Sequence, residues 1–156
     1  MAEEQAAEKR LSIGKIYLKD FSFESPQAPE VFRQTDWKPQ TDLNLRSSHT
    51  TISEEHHEVV LTVTVEAKTD DKSLFLVELQ QAGLFEIVGY EGEELSAIIG
   101  SFCPNILFPY ARETIASLIQ KGGFPEFVLQ PINFDALYLQ SKQQQATAQA
   151  DAAEKH

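Results

Sequence analysis

Apolar and polar residues alternate along four stretches in the N-terminal half of the chain. The clearest alternation spans residues 58–67, where valine, leucine or alanine takes every second position and threonine or glutamate takes most of the others. Successive side chains of a strand point to opposite faces of a sheet, so this pattern predicts a strand with one buried and one solvated face. Less regular alternation predicts further strands over residues 11–24, around residues 43–45 and over residues 74–90.

The first and fourth predicted strands each carry carboxylates on one face. Counting by two along residues 11–24 gives two sets of side chains on opposite faces: Tyr17, Phe21 and Phe23 on one, and Asp20, Ser22 and Glu24 on the other. On the fourth strand the same count places Leu76 and Glu78 together on one face. Each of these strands is therefore predicted to present a solvated face that carries carboxylates.

A long proline-rich segment, residues 25–39, separates the first two predicted strands. Its three prolines disfavour both helix and strand, so the segment is predicted to be a crossover loop. Phe32 and Trp37 lie within it, although a loop that faces only water has no use for such large apolar side chains. Residues 69–72, Thr-Asp-Asp-Lys, predict a hairpin turn between the third and fourth strands.

Apolar spacings of three and four replace the alternation in the C-terminal part of the chain. They predict a short helix near residues 95–102 and a longer one over residues 107–121, which the two glycines after it end. Pro104 predicts a turn before the longer helix, because proline disfavours helical backbone in the residue before it. Pro109 is expected in a first turn or at a kink, and Asn133 is expected to cap the last helix.

Four strands followed by helices predict an α+β fold, in which C-terminal helices pack on one face of a four-stranded antiparallel sheet. Residues 11–142 form one predicted domain. The acidic residues 1–10 and the Gln/Ala-rich residues 143–156 carry too little apolar surface to offset the entropy of ordering. Both tails are therefore predicted to be disordered.

Charge and composition narrow the classes of function. The 156-residue chain has a net charge of −11, which argues against a nucleic acid partner, since phosphate binding needs clustered lysine and arginine. The first ten residues lack the apolar stretch of a signal peptide, and no window holds the roughly 20 apolar residues of a membrane-spanning helix. A soluble cytoplasmic protein is expected.

Candidate chemistry is sparse. Cys103 is the only cysteine, and its apolar neighbours predict a buried, unreactive thiol. His49, His56, His57 and His156 form no closed ligand set with it, so neither a metal ion nor another cofactor is expected. The sequence also lacks phosphate-binding glycine loops and nucleophile motifs.

Four segments combine these features in a distinctive way. They are Tyr-Leu-Lys-Asp-Phe-Ser-Phe-Glu at 17–24, Leu-Val-Glu-Leu-Gln-Gln-Ala-Gly-Leu-Phe at 76–85, Cys-Pro-Asn-Ile-Leu-Phe-Pro-Tyr-Ala-Arg-Glu at 103–113 and Pro-Ile-Asn-Phe-Asp-Ala-Leu-Tyr at 131–138. In these segments, and over about residues 13–140 as a whole, the chain resembles the SecB family of bacterial export chaperones.

The resemblance implies a function and an assembly. Members of the SecB family bind unfolded or slowly folding precursor proteins without ATP and pass them to the translocase motor SecA; they are not enzymes. They assemble as homotetramers, each a dimer of dimers. We expect residues 17–23 to pair edge to edge with a second subunit, and part of the helix at 107–118 to lie between dimers.

By the same resemblance, clients bind in apolar grooves between the crossover loop, the sheet and the last helix. The candidate lining residues are Phe32, Trp37, Phe134, Leu137 and Tyr138. Amphipathic aromatic residues such as Trp37 and Tyr138 suit a partly wet binding surface. For Phe134 and Leu137, a place in the core of the subunit stays open as the alternative.

The resemblance also implies a partner surface. In the family, acidic and apolar residues at the positions of Asp20, Glu24, Leu76 and Glu78 contact the basic, zinc-binding C-terminal tail of SecA. The zinc ion belongs to that partner. A cluster of carboxylates attracts a basic tail over a distance, and salt weakens the attraction.

Three other functions stay open. An enzyme that uses paired carboxylates such as Asp20 and Glu24 needs surroundings that separate their pKa values, and a solvated strand face gives little reason for that. A SecB-like chaperone dedicated to one client, for example in a toxin–antitoxin system, would be expected to lose the carboxylates that bind SecA. An oligomeric scaffold would bind no client.

Overall fold

The computed structural model describes residues 8–34 and 38–154, and it contains one antiparallel sheet. The strands are β1 (Arg10–Glu24), β2 (Gln40–Thr51), β3 (His56–Thr69) and β4 (Lys72–Val88). Their order in the sheet is β1-β4-β3-β2, so β1 and β2 form its two edges. All four predicted strands are confirmed. β2 is longer than its two leucines indicate, because most of its residues are exposed and leave no apolar pattern in the sequence.

A tight turn joins β3 to β4, the two central strands. Asp70 and Asp71 have φ angles of 51° and 62°, the left-handed conformation that two-residue hairpin turns favour and that aspartate tolerates. The turn predicted over residues 69–72 is confirmed. This turn and one additional residue in β4 set the register of the two strands, in which Glu66 of β3 lies opposite Leu76 of β4.

Helices cover one face of the sheet. A continuous helical segment comprises α1 (Gly92–Ala97), one π-helical turn (Ile98–Phe102) and α2 (Cys103–Lys121), and α3 (Phe134–Glu154) follows after an extended loop. Leu107 and Ile115 of α2 are fully buried in one core with the sheet residues Val63 and Leu79. The predicted α+β fold, with helices on one face of a four-stranded antiparallel sheet, is confirmed.

Helical backbone continues through Pro104, so the turn predicted there is wrong. Pro104 lies in the first turn of α2, the place where a helix best tolerates proline. Just before it, the N–H of Cys103 donates to the carbonyl oxygen of Ile98, which is the spacing of a π-helix. The hydrogen-bond pattern therefore changes at this proline without a break in the helix. Pro109 lies inside α2, beyond its first turn.

Two register shifts in β1 change which side chains share a face. Lys19 is an additional residue in β1 and has no partner in β4. Tyr17 therefore pairs with Ala82, an even-numbered residue of β4, whereas Phe21 pairs with Leu79, an odd-numbered one. An inserted residue moves every later side chain to the other face of the sheet. Tyr17 therefore lies on the open face, away from the helices, whereas Phe21 and Phe23 lie on the helix side. The prediction that these three aromatic residues share one face is wrong.

The last helix extends further than the sequence indicates. The sequence predicts disorder for residues 143–156, whereas α3 continues through residues 143–154 in the structure. Alanine and glutamine are good helix formers, so a helix already started by earlier residues propagates through them without apolar contacts. Side chains 143–153 are all exposed. At the other end of the chain, β1 begins at Arg10, and residues 1–7 lie outside the described part.

Asn133 caps α3, as the sequence predicts. Its Oδ1 accepts a hydrogen bond of 3.0 Å from the backbone N–H of Ala136. The cap fixes the direction in which α3 leaves the preceding loop. Phe134, the next residue, is buried and packs edge-on against Phe108 of α2, with the ring centroids 5.6 Å apart.

Asn133→Ala is expected to lower the free energy of unfolding by about 1 kcal/mol, because one N–H of the first turn of α3 loses its partner. Urea denaturation followed by circular dichroism measures the change. Asn133→Asp is the matched control, since its carboxylate accepts the same hydrogen bond. Equal stabilities of the alanine and aspartate variants would contradict the cap.

Candidate functional site

An acidic row crosses the open face of the sheet. Glu24 of β1 pairs with Leu76 of β4, Leu76 pairs with Glu66 of β3, and Glu66 pairs with Asp42 of β2. Neighbouring strands lie about 4.8 Å apart, so Leu76 has a carboxylate on either side along this row. An apolar side chain flanked by acidic ones suits a partner that carries both positive charge and apolar groups.

The neighbouring positions add further carboxylates to this row. Glu78 lies two residues from Leu76 and pairs with Ser22, while Asp20 pairs with Gln80. The structure thus brings all four predicted SecA-contacting residues to one face of β1 and β4. Alternate residues of a strand lie about 7 Å apart and neighbouring strands about 4.8 Å apart, so Glu78 lies within about one Debye length of both Asp20 and Glu24.

Glu78 and its neighbours are open to an outside cation. The side chains of Asp20, Glu24 and Glu78 are exposed, and Leu76 is half-buried. Glu78 accepts a hydrogen bond of 3.0 Å from the Thr64 hydroxyl, which orients its carboxylate without neutralising it. Within residues 8–34 and 38–154, none of these three carboxylates forms an ion pair.

Glu66 and Asp42 are the members of this face that sequence reasoning missed. The alternation over residues 58–67 does put Glu66 on a solvated face, but only the strand register brings it beside Leu76. Asp42 is exposed, while Glu66 is half-buried and pairs with Lys68 at 2.9 Å. The hydrogen bond to Glu66 raises the pKa of Lys68. We call Asp20, Glu24, Asp42, Glu66, Leu76 and Glu78 the acidic face.

A different carboxylate, Glu58, is already neutralised within the chain. Tyr17 donates a hydrogen bond to it, and the ammonium group of Lys19 lies 2.9 Å from its Oε1. The hydrogen bonds from Tyr17 and Lys19 lower the pKa of Glu58, while burial and Glu58 raise the pKa of Tyr17 to about 12. This part of the open face therefore presents little free negative charge, which confines the attraction for cations to the acidic face.

An apolar groove lies on the helix side of the sheet, at the free edge of β2. It has a volume of about 630 Å³. Most of its walls come from β2, from α1 with the π-helical turn, and from α3. The main lining residues are Leu45, Ser47 and His49 of β2, Leu95, Ser96, Ile99 and Gly100 of α1 and the π-helical turn, and Phe134, Leu137 and Tyr138 of α3, while Leu61 of β3 and Pro104 of α2 complete the lining. Three of the five predicted client-binding residues thus line one groove. We call it the α3 groove.

Tyr138 holds α3 against the π-helical turn. Its ring packs so closely over Gly100 that a Cβ atom at that position would lie 2.5 Å from the ring. Its hydroxyl donates a hydrogen bond of 2.8 Å to the Ser96 hydroxyl. Phe134 is buried and belongs to the core as well as to the groove wall, whereas the side chain of Leu137 is 44% exposed. Leu137 is therefore the most exposed of these three side chains.

Phe32 does not line the α3 groove. Its ring lies 5.4 Å from that of Phe124 and against Gly123, just after the end of α2. The α3 groove borders the other end of α2, which is about 28 Å long for its 19 residues. A smaller cavity of about 170 Å³, lined by Phe75, Phe124 and Phe127 among others, lies on the same side as Phe32. Trp37 lies outside the described residues.

The groups that most often perform catalysis or bind metals are inert or scattered. Cys103 is buried, and burial raises the pKa of its thiol to about 12, so the nucleophilic thiolate does not form near neutral pH. Within the described residues, no three His, Cys, Asp or Glu side chains are grouped so that they can hold a metal ion. None of the described helices is long and apolar enough to cross a membrane.

Comparison with known proteins identifies the family. The family model described as Preprotein translocase subunit SecB matches residues 4–145. The chain belongs to the SecB family. A protein-export protein SecB of Nitrosococcus oceani is 51% identical over 148 residues, which cover 94% of this chain and 90% of that relative. Those of Hahella chejuensis and Marinobacter nauticus are 49% and 46% identical, with almost complete coverage of both chains.

A solved structure supports the fold. A SecB-like chaperone of Mycobacterium tuberculosis, solved in complex with a peptide from the HigA1 antitoxin, matches with a TM-score of 0.63. The match covers 79% of this chain and 88% of that one at 21% identity, so it shows the SecB fold. The resemblance that the four sequence segments indicate is confirmed, and so is the predicted function of a chaperone in protein export.

Proposed function

We propose that this SecB-family chaperone holds unfolded precursor proteins in its α3 groove and presents its acidic face to SecA. The observation that carries this proposal is the separation of the two surfaces, an apolar groove on the helix side of the sheet and exposed carboxylates on the open side. A chaperone that must hold a client while it docks on a motor needs two such surfaces. We expect it to act in the cytoplasm, before its clients leave that compartment.

Client binding in the groove rests on apolar burial. Burial of apolar area is non-directional and contributes about 25 cal/mol per Å², so many sequences satisfy it. Ordering a flexible client offsets much of that gain, which keeps each contact weak and reversible without ATP. Several weak contacts on one long client then add up through effective concentration. Phe32 is proposed to contribute a second contact area near the end of α2, and Trp37 stays a candidate client contact on the sequence alone.

Binding of SecA rests on charge. The basic, zinc-binding tail of SecA is attracted by the exposed carboxylates of Asp20, Glu24 and Glu78, which lack ion-pair partners in the described chain. Leu76 offers the tail an apolar contact between them. We include Asp42 and Glu66 in this surface because they continue the row that starts at Glu24 and Leu76.

A homotetramer, a dimer of dimers, is the proposed assembly. β1 is an edge strand, and its side chains Ile13, Leu18 and Phe21 are between 39% and 54% exposed. Pairing β1 with a second subunit would hide both the strand edge and these apolar groups. Tyr110 of α2 is 51% exposed and offers apolar surface for the contact between dimers.

A chaperone dedicated to one client is the second candidate. The SecB-like chaperone of Mycobacterium tuberculosis, which shares the fold, was solved in complex with an antitoxin peptide. The exposed carboxylates of Asp20, Glu24 and Glu78 in this chain favour a motor-binding role instead.

Mixing experiments test the proposed function. The protein is mixed with a chemically unfolded precursor or with the folded mature form of the same protein, SecA is added, and masses are measured by size exclusion with light scattering. We expect four chains of 17.5 kDa each to bind only the unfolded form and to form a ternary complex with SecA. A dedicated chaperone would bind a single client without SecA, and a scaffold would bind neither form.

A further inference from the structure

Two histidines form a direct contact at the end of the α3 groove. His49 of β2 and His57 of β3 stack with ring centroids 5.1 Å apart, and Nε2 of His49 lies 2.9 Å from Nδ1 of His57. They occupy diagonal positions of the strand pair, because His49 pairs with Val59 while His57 pairs with Thr51. His49 lines the groove, whereas His57 is only 5% exposed. A change of charge in this pair therefore changes the electrostatic potential in the α3 groove.

The contact itself limits how many protons the pair holds. A hydrogen bond between the two ring nitrogens needs one N–H and one lone pair, which a neutral or singly charged pair supplies. Two charged rings would place N–H against N–H at 2.9 Å and would repel each other. A charge on one ring therefore disfavours a charge on the other.

The surroundings disfavour charge on the buried ring. Burial lowers the pKa of His57, and the charges of His49 and His56 lower it further. His56 faces the open side of the sheet, where its ring contacts the Ser53 hydroxyl at 3.0 Å and lies 3.8 Å from Glu86. Thr51 lies 3.5 Å from His49.

No carboxylate approaches the pair within the described residues. The charged side chains of the elements around it are Arg46, Glu54, Glu55, Glu58, Glu86, Glu93, Glu94 and Lys142. Glu58 is bonded to Tyr17 and Lys19, and Glu93 and Glu94 pair with Lys142 and Lys9. Arg46 borders the groove, but it pairs with Thr62 and so belongs to the open face of the sheet, away from the pair. A proton taken up by the pair thus has no ion-pair partner within residues 8–34 and 38–154.

We propose that the His49–His57 pair makes client binding in the α3 groove depend on pH, with the uncharged pair favouring apolar client segments. An apolar segment that covers His49 removes water from the pair and so disfavours its charged form. Binding of such a client then expels the proton, and by linkage a lower pH weakens the binding. The proposal rests on client binding in this groove and adds a condition under which clients are released.

Isothermal titration calorimetry tests this linkage. The probe is an extended apolar peptide, acetylated and amidated and without ionisable side chains, so that only the protein titrates. Binding near pH 6 in two buffers of different ionisation enthalpy gives the number of protons released. We expect a fraction of one proton to be released, and Kd to rise several-fold from about pH 7.5 to about pH 5.5.

Variants separate the pair from other histidines. His49→Gln/His57→Gln removes both titrating rings and is expected to abolish the proton release and the pair's share of the pH dependence. His56→Gln is the control, because His56 is adjacent in sequence but faces away from the groove. It keeps both rings of the pair and is expected to retain the proton release, although loss of its charge raises the pKa of His57. If the double variant does not fold, His49→Gln alone is expected to reduce the release. Proton release that persists in a folded double variant would overturn the proposal.

A measurement without client separates this inference from the proposed function. NMR titration of the histidine rings should show His57 titrating below its usual midpoint, and the midpoint should rise in His49→Gln because one neighbouring charge is removed. An unchanged midpoint would overturn the coupling of the pair. Absence of peptide binding at about pH 7.5 would instead overturn client binding in the groove, and the two failures are therefore distinguishable.

Discussion

Glu78→Lys should weaken binding of the zinc-binding tail of SecA by at least about tenfold. Glu78 is exposed, is oriented by Thr64, and lies two residues from Leu76 within the acidic face. The substitution removes one attraction and adds a repulsion to a basic ligand, and close charge pairs at interfaces contribute about 1.5 kcal/mol or more. A loss of about 1.4 kcal/mol is a tenfold loss of affinity. Titration calorimetry with a zinc-loaded peptide of that tail measures it.

The control for this variant carries the same change of charge at another place. Glu54→Lys lies in the exposed hairpin between β2 and β3, at the far end of β3 from Glu66. Ten residues of strand span about 33 Å, so the added charge is screened from the acidic face at physiological salt. We expect Glu54→Lys to bind the SecA tail with near-normal affinity, and both variants to bind clients as the wild type does. Binding of the tail by the wild-type protein should weaken as the salt concentration rises. Normal tail binding by Glu78→Lys would remove Glu78 from the motor surface.

Leu137→Asp should weaken binding of an unfolded client by about tenfold or more, and binding of SecA should be unchanged. Leu137 lines the α3 groove and is 44% exposed, so the substitution leaves the core intact. A client that covers the new carboxylate must remove its water without supplying a counter-charge, which costs several kcal/mol if the group is fully desolvated. Competition between a labelled unfolded precursor and the variants gives the relative affinities.

Leu139→Asp is the matched control, because it makes the same substitution two residues along the same helix. Leu139 is 59% exposed and is not among the residues that line the groove. Circular dichroism and thermal unfolding of both variants establish that α3 stays folded. If Leu137→Asp and Leu139→Asp bound the client equally well, clients would not enter the α3 groove at this point.

Much of the acidic face could be predicted because strand alternation is a local property. Asp20 and Glu24 both follow the additional residue Lys19, so the bulge shifts both by the same amount and they still share one face of the strand. Tyr17 precedes that residue, and its predicted face was wrong for this reason. No sequence pattern here marks the bulge, since the backbone inserts one residue without interrupting the strand.

The client-binding residues were harder to predict because they come from separate elements. Phe134, Leu137 and Tyr138 lie on one helix and reach the same groove, as their helical spacing indicates. Phe32 is an equally apolar candidate, yet it packs beside Gly123 near the opposite end of α2. The composition of residues 143–154 indicates helical propensity. Propensity alone, however, does not determine whether a helix continues where it has no tertiary contacts.

The sequence by itself determined the elements and the family of this protein. Alternation and helical spacing are repeated over many residues, and four motif segments in order identify SecB, so no single error removes these conclusions. Only the tertiary structure decided which elements meet: the row from Glu24 through Leu76 and Glu66 to Asp42, and the contact between His49 and His57. Contacts between strands depend on register, and one inserted residue changes the register of a whole strand.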